Sequence, residues 1–270
     1  MVRNQVSLYR KELAGIVEPG TNGRLQARHE LYVRHILSSI CSIEELYEAW
    51  ISVLEYFSGY KVPVIKNVEK LDGHLFKYLL NNKAIHENFV NRGRADLAEN
   101  IFRHFELPFQ LDGHYWLQYG LFQKRIGNYT EALRMLKLST DAYSGNPFAE
   151  HAYAQQLLVH ATRYAENDAL SFQMAAEGVS RLQALAAQQQ KKSDFYPLLT
   201  LATHHVVFLL SKSQGDQARK VAKEYFGQLS DLEKRNMCNK QIDIVKHSVF
   251  KLATAGIWEA PNFLDQDIVE

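Results

Sequence analysis

Apolar and polar positions alternate with the period of an α-helix along most of this chain. The clearest stretch runs from Gly113 to Pro147, where two helical patterns flank Gly127-Asn128-Tyr129. Buried positions three to four residues apart are typical of a helix with one face in the core. The recurring positions are Trp116, Tyr119, Gly120 and Ile126, followed by Ala132, Leu136, Ser139 and Tyr143. The pattern therefore predicts two helices joined by one tight turn.

Two details of this segment predict how its helices meet. Gly120 lies within the first helix, where glycine costs about 1 kcal/mol relative to alanine. A neighbouring helix pressed against its backbone would compensate, and Ala132 is the expected facing residue. Asn128 and Glu131 have the spacing of a capping box, which predicts where the second helix begins.

The same period predicts further helices on both sides of this pair. Ser42 and Glu45 form a second candidate capping box, which marks the start of one of these helices. Ser230 and Glu233 form a third candidate capping box, which marks the start of another. The predicted helices span residues 2–18, 25–40, 43–58, 148–162, 170–185, 194–210, 216–229 and 230–255.

An offset of 34 residues relates several of these positions. Gly93 and Gly127 are 34 residues apart, and Ala98 and Ala132 keep the same offset, as do Phe102 and Leu136. A period of 34 residues is that of tetratricopeptide repeats. We therefore predict an all-α fold of antiparallel helix pairs, stacked as a tetratricopeptide-like right-handed superhelix. The expected divisions are a helical segment at residues 1–78, the repeats at 79–256 and a tail at 257–270.

A stacked array of this kind presents a concave surface lined by the first helix of each pair. Polar side chains expected on that side are candidates for contact with a protein partner, the alternative being ordinary solvated surface. They are His114, Lys124, Arg125, His151 and Gln155.

Charge and hydropathy narrow the class of protein. The 31 Lys and Arg residues nearly balance 30 Asp and Glu residues, so the chain carries no basic footprint for nucleic acid. It has no apolar run of about 18 residues and no signal peptide at its start, so we expect a soluble cytoplasmic protein without a membrane segment. Cys41 and Cys238 are expected to be buried free thiols.

The motifs of common catalytic and cofactor sites are missing from the sequence. It contains no GxxxxGK[ST], GxGxxG, HExxH or GxSxG pattern. His204 and His205 are adjacent, and neighbours on a helix diverge by about 100°, so we do not expect them to share a metal ion. The sequence predicts a non-enzymatic protein without a cofactor or bound metal.

Two alternatives to partner binding stay open. Basic residues gather between Arg24 and His35, which allows a nucleic-acid-binding helix as well as a solvated face. The aromatic amino-terminal helices could instead hold copies of the chain together, and the oligomeric state is open.

Three segments resemble one family. The residues Gly23-Arg24 and Ala27-Arg28-His29 resemble a helix that follows the ATPase core of bacterial anti-phage STAND proteins, the signal-transduction ATPases with numerous domains. The block from Asp112 to Gly120 resembles the WLQYG block of their carboxy-terminal repeat region, and residues 150–155 resemble its continuation. The resemblance covers residues 23–161.

The resemblance implies a sensor region. In that family the repeats recognise an invading phage protein and trigger assembly of an amino-terminal effector through the ATPase. The effector and ATPase motifs are absent from this sequence, which leaves three alternatives open: a detached sensor segment, a small stand-alone relative and an excised fragment. The resemblance implies that the partner is a phage protein or an upstream ATPase or effector domain.

Overall fold

The computed structural model describes residues 17–19, 25–27, 42–58, 77–188 and 196–234. Apart from one short ribbon, the regular structure in these ranges is helical. The strands are β1 (Val17–Pro19) and β2 (Leu25–Ala27), and the helices are α1 (Ile43–Ser58), α2 (Asn82–Asn88), α3 (Ala95–His104), α4 (Gly113–Arg125), α5 (Tyr129–Ala142), α6 (Pro147–Arg163), α7 (Asp168–Ala187), α8 (Tyr196–Thr200), α9 (Val206–Ser211) and α10 (Gly215–Lys234). A 3₁₀ turn at Val90–Arg92 separates α2 from α3, and a π-helical turn at Leu201–His205 joins α8 to α9.

The two-stranded ribbon lies where the sequence predicts parts of two helices. β1 pairs antiparallel with β2, with Val17 opposite Ala27 and Pro19 opposite Leu25. The helices predicted for residues 2–18 and 25–40 are therefore wrong at these residues; their remainders lie outside the described ranges. The sequence between the strands contains Asn22-Gly23, a dipeptide that favours hairpin turns. A short apolar run does not by itself distinguish a strand from a helix.

Helix α1 begins where the sequence predicts. The Ser42 N–H donates to Glu45 Oε2 at 2.8 Å, and the Glu45 N–H donates to Ser42 Oγ at 3.1 Å. This reciprocal pair is a capping box. The helix buries Trp50 and Leu54, and the Trp50 indole N–H donates to the carbonyl oxygen of Leu79 at 2.9 Å.

From α4 onward the helices lie in pairs. α4 packs against α5, α6 against α7, and α9 against α10. We call α4, α6 and the α8–α9 segment the first helices, and α5, α7 and α10 the second helices. Each first helix also contacts the next one, since α4 touches α6, and α6 touches both the π-helical turn and α9.

The 34-residue offset joins equivalent structural positions. Gly93 and Gly127 both adopt a left-handed backbone, with φ of 80° and 83°, at the turns that precede α3 and α5. Glycine enters this conformation without a steric penalty. Ala98 and Ala132 are fully buried on the following helices, as are Phe102 and Leu136.

Two local expectations need correction. A Cβ on Gly120 would lie 2.7 Å from Leu136 Cγ, so Leu136 is its facing residue and not Ala132. Asn128 is the N-cap of α5, but its side chain makes no capping hydrogen bond. The Glu131 carboxylate is instead 2.9 Å from Arg134.

The last described helix continues past its predicted end. α10 runs from Gly215 through Ser230 to Lys234, so no new helix begins at Ser230. The apolar face of α10 supplies the reason, because Ala218, Ala222 and Leu229 are buried in one continuous stripe. A Ser-x-x-Glu spacing inside such a stripe does not interrupt it. The predicted helix beyond residue 234 lies outside the described ranges.

Candidate functional site

The first helices are enclosed on nearly every side. All described residues of α4, α8, the π-helical turn and α9 are buried or half-buried, and α6 exposes only Pro147 and Phe148 in its first turn. A helix surrounded in this way is normally apolar on all faces. These helices nevertheless carry lysine, glutamine and histidine, whose polar atoms must find hydrogen-bond partners in the interior.

The residues predicted to contact a partner lie along these enclosed helices. His114, Lys124 and Arg125 belong to α4, whereas His151 and Gln155 belong to α6. Lys124, His151 and Gln155 are buried, each with no more than 8% of its surface exposed. His114 and Arg125 are half-buried. The structure thus places all five at or near helix contacts, and their role in partner binding stays a prediction.

Two of them belong to a network that joins three first helices. The Lys124 ammonium donates to Gln155 Oε1 at 3.1 Å, and Gln155 Nε2 lies 3.4 Å from His204 Nε2. His204 Nδ1 lies 2.8 Å from Thr203 Oγ1, whose hydroxyl donates to the carbonyl oxygen of Leu199 at 2.9 Å. We call Lys124, Gln155, His204 and Thr203 the buried network.

The chemistry of Lys124 fixes the direction of these hydrogen bonds. An ammonium group only donates, so the amide oxygen of Gln155 faces Lys124 and its NH₂ group faces His204. His204 Nε2 must then accept, which leaves its Nδ1–H to donate to Thr203 Oγ1. The network therefore requires a neutral His204 with the proton on Nδ1. Burial, followed by the charge of Lys124, lowers the pKa of His204 to about 3.

His151 forms a second link between α6 and α8. Its Nε2 lies 2.8 Å from Thr200 Oγ1. Burial, followed by the charge of Lys124, lowers its pKa to about 4. His205 points elsewhere, since its Nδ1 lies 2.9 Å from the Tyr225 hydroxyl on α10. The predicted divergence of His204 and His205 is therefore confirmed.

A separate polar group ties α4 to α2. Arg125 Nε donates to Asn82 Oδ1 at 3.1 Å, and Asn82 Nδ2 donates to Gln118 Oε1 at 2.9 Å. His114 lies at the other end of α4, where burial and then the charge of Lys77 lower its pKa to about 4. Of the five predicted residues, Arg125 thus contacts α2, whereas Lys124, His151 and Gln155 link α4, α6 and the α8–α9 segment.

Sequence reasoning missed several members of these networks. Asn82, Gln118, Thr200 and Thr203 are all buried and hydrogen-bonded. A signal was present for Thr200 and Thr203, because both lie among apolar residues of the helix predicted at residues 194–210. The partners were not visible, since the Gln155–His204 contact spans 49 residues.

The buried network contains one charged group and several aligned polar groups. Its hydrogen bonds are suited to fixing how the first helices pack against one another. Each inter-helix bond exists at one registration of the helices, so the network selects that arrangement.

Within the described ranges, no three His, Cys, Asp or Glu side chains come close enough to hold a metal ion. Among the described helices, none has both the length and the apolar character that crossing a membrane requires.

Comparisons of the chain with protein-family models, with curated proteins and with solved structures found no match. The resemblance of residues 23–161 to STAND sensor regions accordingly stays a prediction.

Proposed function

We propose that this chain is a non-enzymatic protein-binding module, built from helix pairs that stack in a tetratricopeptide-like superhelix. The enclosure of the first helices is the observation that supports it most. Enclosed first helices hold the second helices in fixed positions on the outside, and a repeated, rigid outer surface suits recognition of another protein. Residues such as Lys124 and His151 serve interior contacts, which fits this role.

The five predicted residues contribute in two ways under this proposal. Lys124, His151 and Gln155 set the spacing between successive pairs, because their hydrogen bonds cross from one first helix to the next. His114 and Arg125 are half-buried and keep the proposed role of direct partner contacts. The basic cluster between Arg24 and His35 lies outside the residues whose side chains are described, so the nucleic-acid alternative gains no support here.

The class of partner follows from the family resemblance. The WLQYG block at 116–120 leads us to propose a phage protein as the partner, with an upstream ATPase or effector domain as the recipient of the signal. This assignment explains why a rigid surface, and not a catalytic cleft, would be the useful feature of the molecule.

The proposal is tested by capture and reconstitution. The tagged chain is used to retain proteins from host lysates prepared before and after phage infection, and each retained protein is then purified and titrated against the chain by calorimetry. We expect one stoichiometric complex with a dissociation constant in the micromolar range or below. Retention of no protein from either lysate would count against a protein-binding role.

A further inference from the structure

An open groove lies on the outer face, between the second helices α5 and α7. It has a volume of about 370 Å³. Both walls contribute residues at positions i, i+3, i+4 and i+7 of their helix, and α6 supplies the floor. The lining residues are Thr130, Leu133, Arg134 and Lys137 of α5, Tyr153 and Leu157 of α6, and Leu170, Gln173, Met174 and Glu177 of α7.

The floor of the groove is apolar and firmly held. Tyr153 and Leu157 are buried, and the Arg181 guanidinium lies 5.0 Å from the centroid of the Tyr153 ring. Arg181 is itself fixed by Glu150 at 2.6 Å and by Glu177 at 3.0 Å. A preformed apolar surface binds a ligand without first being ordered, which lowers the entropic cost of association.

The two rims differ in charge. Arg134 and Lys137 line the α5 rim, and more than half of each side chain is exposed. Each forms an ion pair within its own helix, Arg134 with Glu131 and Lys137 with Asp141, and the Lys137 ammonium also lies 6.0 Å from the centroid of the Tyr153 ring on the groove floor. Exposed pairs of this kind contribute little to stability, so the two cations can exchange them for carboxylates of a ligand at little cost.

The α7 rim offers no comparable positive charge among its groove-lining residues. Gln173 is neutral, and the Glu177 carboxylate is already paired with Arg181 at 3.0 Å. An occupant with apolar anchors would therefore be oriented by its charges, with acidic residues along the edge that faces α5.

We propose that this groove binds an amphipathic helix of a partner protein, with apolar anchors on one face and Asp or Glu along the edge facing Arg134 and Lys137. The walls span seven residues of helix, about 10.5 Å at 1.5 Å per residue, which matches two turns of a bound helix. The i, i+3, i+4, i+7 spacing on both walls provides ridges, and the side chains of a bound helix fit between them. The proposal rests on the protein-binding function proposed above and names the partner's chemistry.

Selection from a displayed library of randomised helical peptides tests the proposal on the whole chain. We expect enriched peptides with apolar residues at i, i+3 or i+4 and i+7, and with acidic residues along one side. Their affinity should fall about tenfold or more for the double variant Arg134→Gln/Lys137→Gln, since both charge-assisted contacts to the acidic edge of the peptide are lost. The matched control is Lys220→Gln/Lys223→Gln, which removes two exposed cations at the same spacing from α10 and should leave the affinity unchanged.

A second variant tests the apolar part of the groove. Gln173→Trp places a large ring at an exposed position of the groove wall and should abolish peptide binding with an unchanged Tm. Enrichment of no peptide, enrichment of basic peptides, or equal affinity for wild type and both groove variants would overturn the proposal. If the captured partner binds the groove variants as it binds wild type, the groove proposal fails and the protein-binding function stands.

Discussion

Protonation of His204 would disrupt the buried network at one of two bonds. A proton on His204 Nε2 would face the NH₂ group of Gln155, and rotation of the Gln155 amide to accept it would turn that NH₂ group toward Lys124. Either arrangement sets donor against donor. Because His204, Gln155 and Lys124 are buried, such a conflict is costly, and the neutral imidazole is part of the folded structure.

The stability of the protein should therefore decrease in acid. His151 and His204 have folded pKa values of about 4 and about 3, below the value near 6.5 of an unfolded histidine. Between about pH 6.5 and pH 4 the unfolded chain binds protons that the folded chain does not, so their contribution is present above pH 6.5 and is lost as the pH falls. We expect the free energy of unfolding in urea to drop by several kcal/mol over this range.

The double variant His151→Gln/His204→Gln separates these residues from other acid-sensitive groups. Its free energy of unfolding should change less between pH 7 and pH 4.5 than that of wild type. Part of the dependence will remain, because burial also lowers the pKa values of His114 and His205 to about 4. An identical pH dependence in variant and wild type would show that neither imidazole is buried in its neutral form.

Adding a single Cβ atom at Gly120 tests how closely α4 and α5 pack. An added Cβ would lie 2.7 Å from Leu136 Cγ and 3.1 Å from the Leu136 backbone nitrogen. We expect Gly120→Ala to destabilise the protein by about 1–3 kcal/mol despite the better helix propensity of alanine. In Gly227→Ala, by contrast, the new Cβ meets no atom within 4 Å, and the variant should be more stable by about 0.5–1 kcal/mol. Equal effects in thermal unfolding would contradict the close approach at Gly120.

At the scale of whole elements, two helix N-termini differ in how they are capped. Asp112 Oδ1 accepts hydrogen bonds from the His114 and Tyr115 amides at 2.8 and 3.0 Å, whereas the Asn128 side chain makes no capping bond. Asp112→Ala should therefore cost about 1–2 kcal/mol, and Asn128→Ala only a few tenths. The comparison is made by urea unfolding of both variants, and a larger loss for Asn128→Ala would contradict the assigned caps.

Helix positions were largely accessible from the sequence, because a periodic apolar face is a local property. The pattern between Gly113 and Pro147 predicts α4 and α5 within a residue or two of their observed bounds. Local signals failed where two readings compete. Val17–Pro19 fits a strand and a helix equally well by apolar content, and Ser230 has a capping spacing inside a helix that continues.

The candidate site could be predicted only in part. Lys124, His151 and Gln155 were selected as polar residues on first helices, yet the sequence alone suggested that they line a concave surface. Their burial depends on partners such as Thr200 and His204, which lie 49 residues from the α6 residues they contact. A single sequence does not reveal pairings over that distance, since they follow from how whole helices pack.

At the scale of the molecule, enclosed first helices and outward second helices imply an uneven distribution of stability. The first helices α4, α6 and α9 are surrounded by neighbours, whereas α5 and α7 carry an exposed face. Backbone amides in enclosed elements exchange with solvent only after larger opening events. The groove between α5 and α7 accordingly lies on the more accessible layer, where a partner can reach it without unfolding the interior.

Hydrogen–deuterium exchange measured by mass spectrometry on the whole chain tests this arrangement most directly. The account predicts that, among the described helices, peptides from α4, α6 and α9 exchange most slowly, and that peptides from α5 and α7 exchange faster. Exchange of α5 and α7 as slow as that of α4 and α6 would contradict the enclosure of the first helices, and with it the basis for a rigid outer binding surface.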